Sequence, residues 1–259
     1  MLGKILKYDL KWIFKQALYL YPILLVDVLL IAILPEHSES NFIDFLRGFA
    51  EGVYAGFIAV FFVTTLKLAW TRMSRNMYGD EAYLTRTLPT SIGTIFSAKV
   101  LAGIIFLLTN IVFCLVATTI AYPDLWSMIS EFSGLIFMPT FLVILVAFVT
   151  FFVQGLFLMM AGFLGITIGY RFRNQHFTWS AVIGAGIYFI GGALLVVAEL
   201  IISACFNENL LNFFIPYRSN DPISAVRDFF LIAMTGYVIY NIGCYIAGRL
   251  LQKRGADID

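Results

Sequence analysis

Ile95-Phe-Ser-Ala-Lys-Val-Leu-Ala-Gly-Ile-Ile-Phe-Leu-Leu-Thr-Asn-Ile-Val-Phe-Cys-Leu-Val-Ala-Thr-Thr-Ile-Ala-Tyr122 carries a single charged side chain, Lys99, close to its start. A helix needs about 20 consecutive apolar residues to cross the hydrocarbon core of a bilayer, and this stretch exceeds that. Five more stretches read the same way: Ala17–Leu34, Gly48–Trp70, Phe137–Tyr170, Trp179–Phe206 and Phe229–Leu251. The expected fold is an all-α integral membrane protein with six transmembrane helices, forming one transmembrane domain over residues 1–259. Composition agrees, with 61% hydrophobic and 13% charged residues; a soluble domain carries about a quarter charged.

Basic residues give the expected orientation. Of 17 Lys and Arg, only Arg47, Arg218 and Arg227 fall on one side of the six spans. Lys4, Lys7, Lys11, Lys15, Lys67, Arg72, Arg75, Arg86, Lys99, Arg171, Arg173, Arg249, Lys253 and Arg254 fall on the other. The positive-inside bias then places both termini in the cytosol, and an even number of spans agrees. A net charge of +1, laid out along membrane edges, gives no footprint for nucleic acid. No soluble stretch exceeds about 25 residues, too few for a globular cytosolic domain, so any energy coupling belongs to a partner. The opening residues do not read as a signal peptide: the apolar run after them is too long and no small-residue cleavage site follows.

Residues 1–16 form a different membrane element. Lys4, Lys7, Lys11 and Lys15 share one helical face with Tyr8, and Leu2, Leu6, Leu10 and Ile13 share the other, with Trp12 at the boundary. Such a basic amphipathic helix is expected to lie in the headgroup plane; a polybasic flank that only fixes topology is the other reading. Two connections are too elaborate for turns. Between spans 2 and 3, Thr71–Ser91 mixes charges with Tyr83, Leu84 and Leu88; Asp80 and Glu81 can start a short helix, Pro89 ends it, and Thr90 or Ser91 caps the next. It is expected to project from the membrane as a docking knob. Between spans 5 and 6, Asn207–Arg227 holds Leu210, Leu211, Phe213, Phe214 and Ile215 before Pro216, and is expected to re-enter the outer leaflet. Small-xxx-small patterns at Gly52 and Gly56, Gly165 and Gly169, and Gly243 and Ala247 mark possible close helix approaches.

Residues that carry chemistry are sparse. His-Glu-x-x-His, Gly-x-Ser-x-Gly and phosphate-cradling Gly-Lys-Ser/Thr patterns are absent from the sequence, and the two histidines, His37 and His176, fall on opposite sides. The expectation is a chain with no catalytic or metal site that is not an enzyme by itself. Cys114, Cys205 and Cys244 have no metal-ligand spacing and read as inert thiols, with Cys205 close enough to an outer end to be exposed. Asp27, Glu51 and Glu199 lie in or beside apolar spans, where a carboxylate is costly and often marks a transport path. Asp27, mid-span, is either a transport residue or a structural hydrogen-bonder; Gln154 is a further candidate, and Lys67 can snorkel to the cytosolic edge.

The opening Met1-Leu-Gly-Lys-Ile-Leu-Lys-Tyr-Asp-Leu-Lys11, the connection Tyr78-Gly-Asp-Glu-Ala-Tyr-Leu-Thr-Arg-Thr-Leu-Pro-Thr-Ser91 leading to Ser97-Ala-Lys99, and the segment before the last span carry a resemblance over nearly the whole chain. On these residues the chain resembles the membrane subunit of type-2 ATP-binding-cassette exporters, particularly the small six-span permeases of Gram-positive peptide and antibiotic export systems. The resemblance implies a bacterial plasma-membrane permease of an amphipathic or hydrophobic molecule such as a peptide antibiotic, drug or lipid. Residues 1–16, with Lys4, Lys7, Lys11, Trp12 and Lys15, would be the connecting helix that leans on the ATPase. Tyr78, Gly79, Asp80, Glu81, Tyr83, Leu84, Arg86, Leu88 and Pro89 would form the coupling helix that enters its cleft. A dimer of cytosolic ATPase subunits would supply ATP and Mg²⁺ chemistry, with no cofactor on this chain. A second permease subunit would pair with it in the lipid bilayer, the path running between second and fifth spans past Asp27, Glu51, Gln154 and Glu199. A non-transporting scaffold or sensor subunit of a signalling complex would suit the same docking loop.

Overall fold

A computed structural model describes residues 1–35, 40–79, 81–83, 87, 89–135, 140–172, 175–206 and 222–256. Among them the elements are helices, in the order α1 (Leu2–Ala17), α2 (Leu20–Ile33), α3 (Asn41–Met77), α4 (Ile92–Ala121), α5 (Leu125–Leu135), α6 (Thr140–Gly169), α7 (His176–Phe206) and α8 (Pro222–Ala256). Five stretches are long and apolar enough to cross a membrane: Asn41–Met77, Ile92–Ala121, Phe148–Gly169, His176–Ile202 and Leu231–Gln252. The first expected span differs. With 14 residues, α2 falls short of the about 20 that cross a bilayer core, and it meets α1 at a bend of 48°. Pro22 explains the break, because it has no N–H for the Leu18 carbonyl and its ring crowds that turn. Only the bent pair taken together makes a sixth crossing.

The helices divide into two compact units, Met1–Phe148 and Val149–Asp259. In the first, α1 and α2 follow α4 in the same direction. Asp9 lies beside Lys99, Ile13 and Ala17 pack with Ala102 and Phe106, and Tyr21 reaches Asn110. Higher up, Leu24, Val28 and Ile31 pack with Ala50, Tyr54 and Phe61 of α3 and with Ala117 and Ala121 of α4. Small residues on α4 let these helices approach closely: Ala98, Ala102, Ala117 and Ala121 are all buried. Ser91, rather than Thr90, caps α4, its hydroxyl accepting from the Thr94 N–H at 3.3 Å.

The apolar face of α1 was expected to rest in the membrane surface, but protein covers it. Ile13 and Ala17 are buried, and Leu6, Leu10 and Phe14 pack around them with Leu68 of α3. Lys4, Lys7, Lys11, Lys15 and Tyr8 face outward, as the wheel predicts. An amphipathic stripe only reports that an apolar partner exists, and here the neighbouring helices supply it before lipid can.

In the second unit Phe157 of α6 is enclosed by the rings of Tyr188, Tyr237 and Tyr240, at 5.0, 5.0 and 4.6 Å between centroids. Tyr240 of α8 also donates to the Ile187 carbonyl of α7 at 2.8 Å. Of the small-residue patterns, one makes a close approach: a Cβ on Gly165 would sit 2.5 Å from the Gly184 Cα, and one on Gly169 would collide with Ser180. A Cβ on Gly52, Gly56 or Gly243 would meet nothing within 4 Å among the described residues, so these glycines make no such approach there. A helix the sequence reading did not anticipate, α5, fills part of the connection before α6. The expected re-entrant segment lies, between 207 and 221, outside the described residues, and its remainder begins α8.

Candidate functional site: a buried ion cluster at the base of the first unit

Where α1 begins, α3 ends and α4 starts, four charged side chains converge. Asp9 is 1% exposed and Lys99 3% exposed. The Lys99 ammonium donates to both carboxylate oxygens, at 2.6 and 2.7 Å. Arg72 Nε donates to Asp9 Oδ1 at 2.8 Å, and its Nη1 reaches Glu81 Oε2 at 3.1 Å. The Arg72 guanidinium also lies 5.1 Å from the centre of the Trp12 ring, a favourable stacking for a delocalised cation.

Each residue reaches this point for a local reason. Asp9 sits on the buried stripe of α1, two turns after Leu2 and one before Ile13. Arg72 occupies the last turns of α3, after its apolar stretch, and Lys99 the second turn of α4. A carboxylate removed from water needs its lone pairs filled by cations or donors, and Asp9 receives three such contacts. The cluster therefore clamps α1, α3 and α4 together and attaches the 78–91 connection through Glu81.

Sequence reasoning missed this site. The sequence marks Lys99 and Arg72 only as topology-setting cations, Glu81 only as part of the coupling segment, and Asp9 only as part of the opening stretch. Of the expected coupling residues, Tyr78, Gly79, Glu81, Tyr83 and Pro89 are described; Asp80, Leu84, Arg86 and Leu88 lie outside the described residues. Ala82 N–H bonds the Gly79 carbonyl at 2.9 Å, forming a turn, and Tyr83 is 77% exposed. The connecting-helix residues Lys4, Lys7, Lys11 and Lys15 stay outside the cluster, whereas Trp12 joins it.

Above the clamp, polar groups tie the helices in steps. Tyr21 donates to Asn110 Oδ1 at 2.6 Å, Asn110 Nδ2 donates to Thr65 Oγ1 at 2.6 Å, and Thr65 donates to the Phe61 carbonyl at 2.7 Å. Thr118 gives its proton to the Cys114 carbonyl, leaving Tyr54 as donor to Thr118 across 2.6 Å. At the far end Arg47 binds the Leu34 carbonyl at 2.9 Å and Glu51 at 3.1 Å, closing the free end of α2.

The expected path residues separate accordingly. Glu51 is paired with Arg47. Asp27 is half-buried on α2, its Oδ2 is enclosed without a hydrogen-bond partner among the described residues, and its charge lies within electrostatic reach of Tyr54 and Tyr122. Gln154 is exposed on α6, and Glu199 is half-buried on α7 within electrostatic reach of Tyr237. Lys67 is exposed on α3. Among the described residues no group of His, Cys, Asp and Glu could hold a metal ion.

No protein-family model, curated protein or solved structure matches the chain. What fold and site define is therefore a class: an all-helical protein whose long apolar helices are those of a multi-pass membrane protein, with an ion clamp at one end of its first unit.

Proposed function

We propose that this chain is the permease subunit of an ATP-driven exporter of the bacterial plasma membrane. It moves an amphipathic or hydrophobic molecule, such as a peptide antibiotic, drug or lipid, out of the cytosol. A separate dimeric ATPase supplies ATP and Mg²⁺ chemistry, and a second permease subunit completes the pore. Both termini and the 78–91 connection face the cytosol. The observation that carries this reading is Arg72, which binds Glu81 of the connection with one nitrogen and Asp9 of α1 with another. A push on the connection by a closing ATPase would reach α1 through Arg72 and α4 through Asp9 and Lys99. That is how packed helices move as rigid bodies rather than deforming.

The test is co-purification of the chain with a cytosolic ATPase, followed by cargo-stimulated ATP hydrolysis. Tyr83→Asp, at an exposed position on the connection, is expected to bring stimulated hydrolysis down to about the unstimulated rate while leaving the chain folded in membranes. Full stimulation in that variant would refute the docking assignment. Asp27→Asn is expected to reduce export several-fold without loss of assembly, because it removes a charge whose Oδ2 has no hydrogen-bond partner among the described residues. Unchanged export would leave Asp27 a packing residue.

A further inference from the structure

We propose that the outward face of α1 is a binding surface for anionic phospholipid headgroups, recognised by charge alone. The proposal is independent of the transport reading. Lys4, Lys7, Lys11 and Lys15 are exposed, and Asp9, the acid nearest them in sequence, is turned inward and bound by Lys99 and Arg72. The outer face thus carries four cations and no acid of its own helix. An ordinary amphipathic anchor inserts its apolar side among acyl chains. Here that side is packed on α3 and α4, so insertion is not available and the lysines must do the recognising.

Their level suits headgroups. With α2 set along the bilayer normal, the 48° bend tilts α1, and a rise of 1.5 Å per residue spreads the lysines over about 11 Å of depth. The band starts about 5 Å below Leu20, and so about 26 Å below Leu34 at the other end of α2. This sets Lys11, Lys7 and Lys4 at or beyond the edge of a core about 30 Å thick and leaves Lys15 to snorkel. A headgroup layer is about 5–8 Å thick, and the potential of an anionic surface extends about 8 Å further at physiological salt. Each lysine in that zone favours an anionic over a neutral surface roughly fivefold. The occupant is an anionic lipid because α1 leads directly into α2, whose outward side chains Ile23, Leu25, Val26, Leu29 and Leu30 are apolar and exposed.

Native mass spectrometry of the full-length chain, titrated with phosphatidylglycerol or phosphatidylcholine, tests this. The parent chain is expected to retain phosphatidylglycerol at least about tenfold better, the gain from one or two lysines touching a single bound lipid, with the preference shrinking several-fold on raising salt from about 0.1 to about 0.5 M. K4Q/K7Q/K11Q/K15Q is expected to bind both lipids equally, and the corresponding four-arginine variant to keep the preference. Equal retention by the parent, or an undiminished preference in the glutamine variant, would overturn the proposal. So would a salt-insensitive preference in the parent, a reading that does not depend on any variant folding. Equal lipid retention together with lysine-dependent capture of an added acidic soluble protein would assign the face to a protein partner instead, and would also overturn it.

Discussion

Asp9→Asn is expected to lower the thermal midpoint of the purified chain by about 10 °C. The substitution leaves Lys99, 3% exposed, and Arg72 without their shared anion. Breaking a buried pair from one side costs about 3–5 kcal/mol, because the remaining charge stays away from water. For a chain of this size each kcal/mol is worth about 2–4 °C. Lys99→Met should be milder, since Asp9 keeps Arg72 at 2.8 Å. Asp9→Leu combined with Lys99→Met should recover much of the loss by replacing the ions with apolar volume, while leaving Arg72 with Glu81. Scanning fluorimetry on the three variants checks the order. Equal midpoints for Asp9→Asn and the parent would mean that the cluster does not hold the helices together.

Gly165→Leu is expected to have the second-largest effect, through sterics alone. Even its Cβ would stand 2.5 Å from the Gly184 Cα and 2.7 Å from the Ser180 carbonyl oxygen. Those are backbone atoms of α7 that cannot rotate aside, so α6 and α7 must separate, and overpacking of this kind costs about 1–3 kcal/mol or more. The change is expected to expose α6 and α7 to limited proteolysis and to lower the thermal midpoint. Gly243→Leu is the control: nothing lies within 4 Å of its Cβ, so a change within about 0.5 kcal/mol is expected. Equal behaviour of the two variants would contradict the close approach of α6 and α7.

Helix positions were largely legible in the sequence because hydropathy reports the environment of a whole segment. Ile95–Tyr122 anticipates α4 within a few residues, and Trp179–Phe206 anticipates α7. The exception was Ala17–Leu34, where averaging over apolar residues conceals the backbone break that Pro22 imposes. The short helix α5 escaped notice because 11 residues with a mixed face stand out little beside spans of 30.

The clamp was legible in principle. Asp9 is the lone acid of residues 1–16 and lies on the apolar stripe beside Leu6 and Ile13; Lys99 is the lone charge of an apolar span. Two misplaced charges of opposite sign ask for each other, since neither is tolerated alone in a low-dielectric interior. Outward lysines and mid-membrane acids are the more conspicuous signals in this chain, and neither points to that pair. Glu51 shows the converse. It reads as an intramembrane acid from its place beside an apolar span, yet Arg47 stands one helical turn before it and pairs with it. The direction in which α1 buries its stripe could not be read from periodicity, which does not distinguish lipid from a neighbouring helix.

Cysteine accessibility at position 83 tests the central claim most directly, that the clamp, α1 and the 78–91 connection all lie on the cytosolic side. In a background with the 3 native cysteines replaced, Tyr83→Cys in intact cells is expected to resist a membrane-impermeant maleimide and to react once the cells are permeabilised. Rapid labelling from outside intact cells would contradict the account.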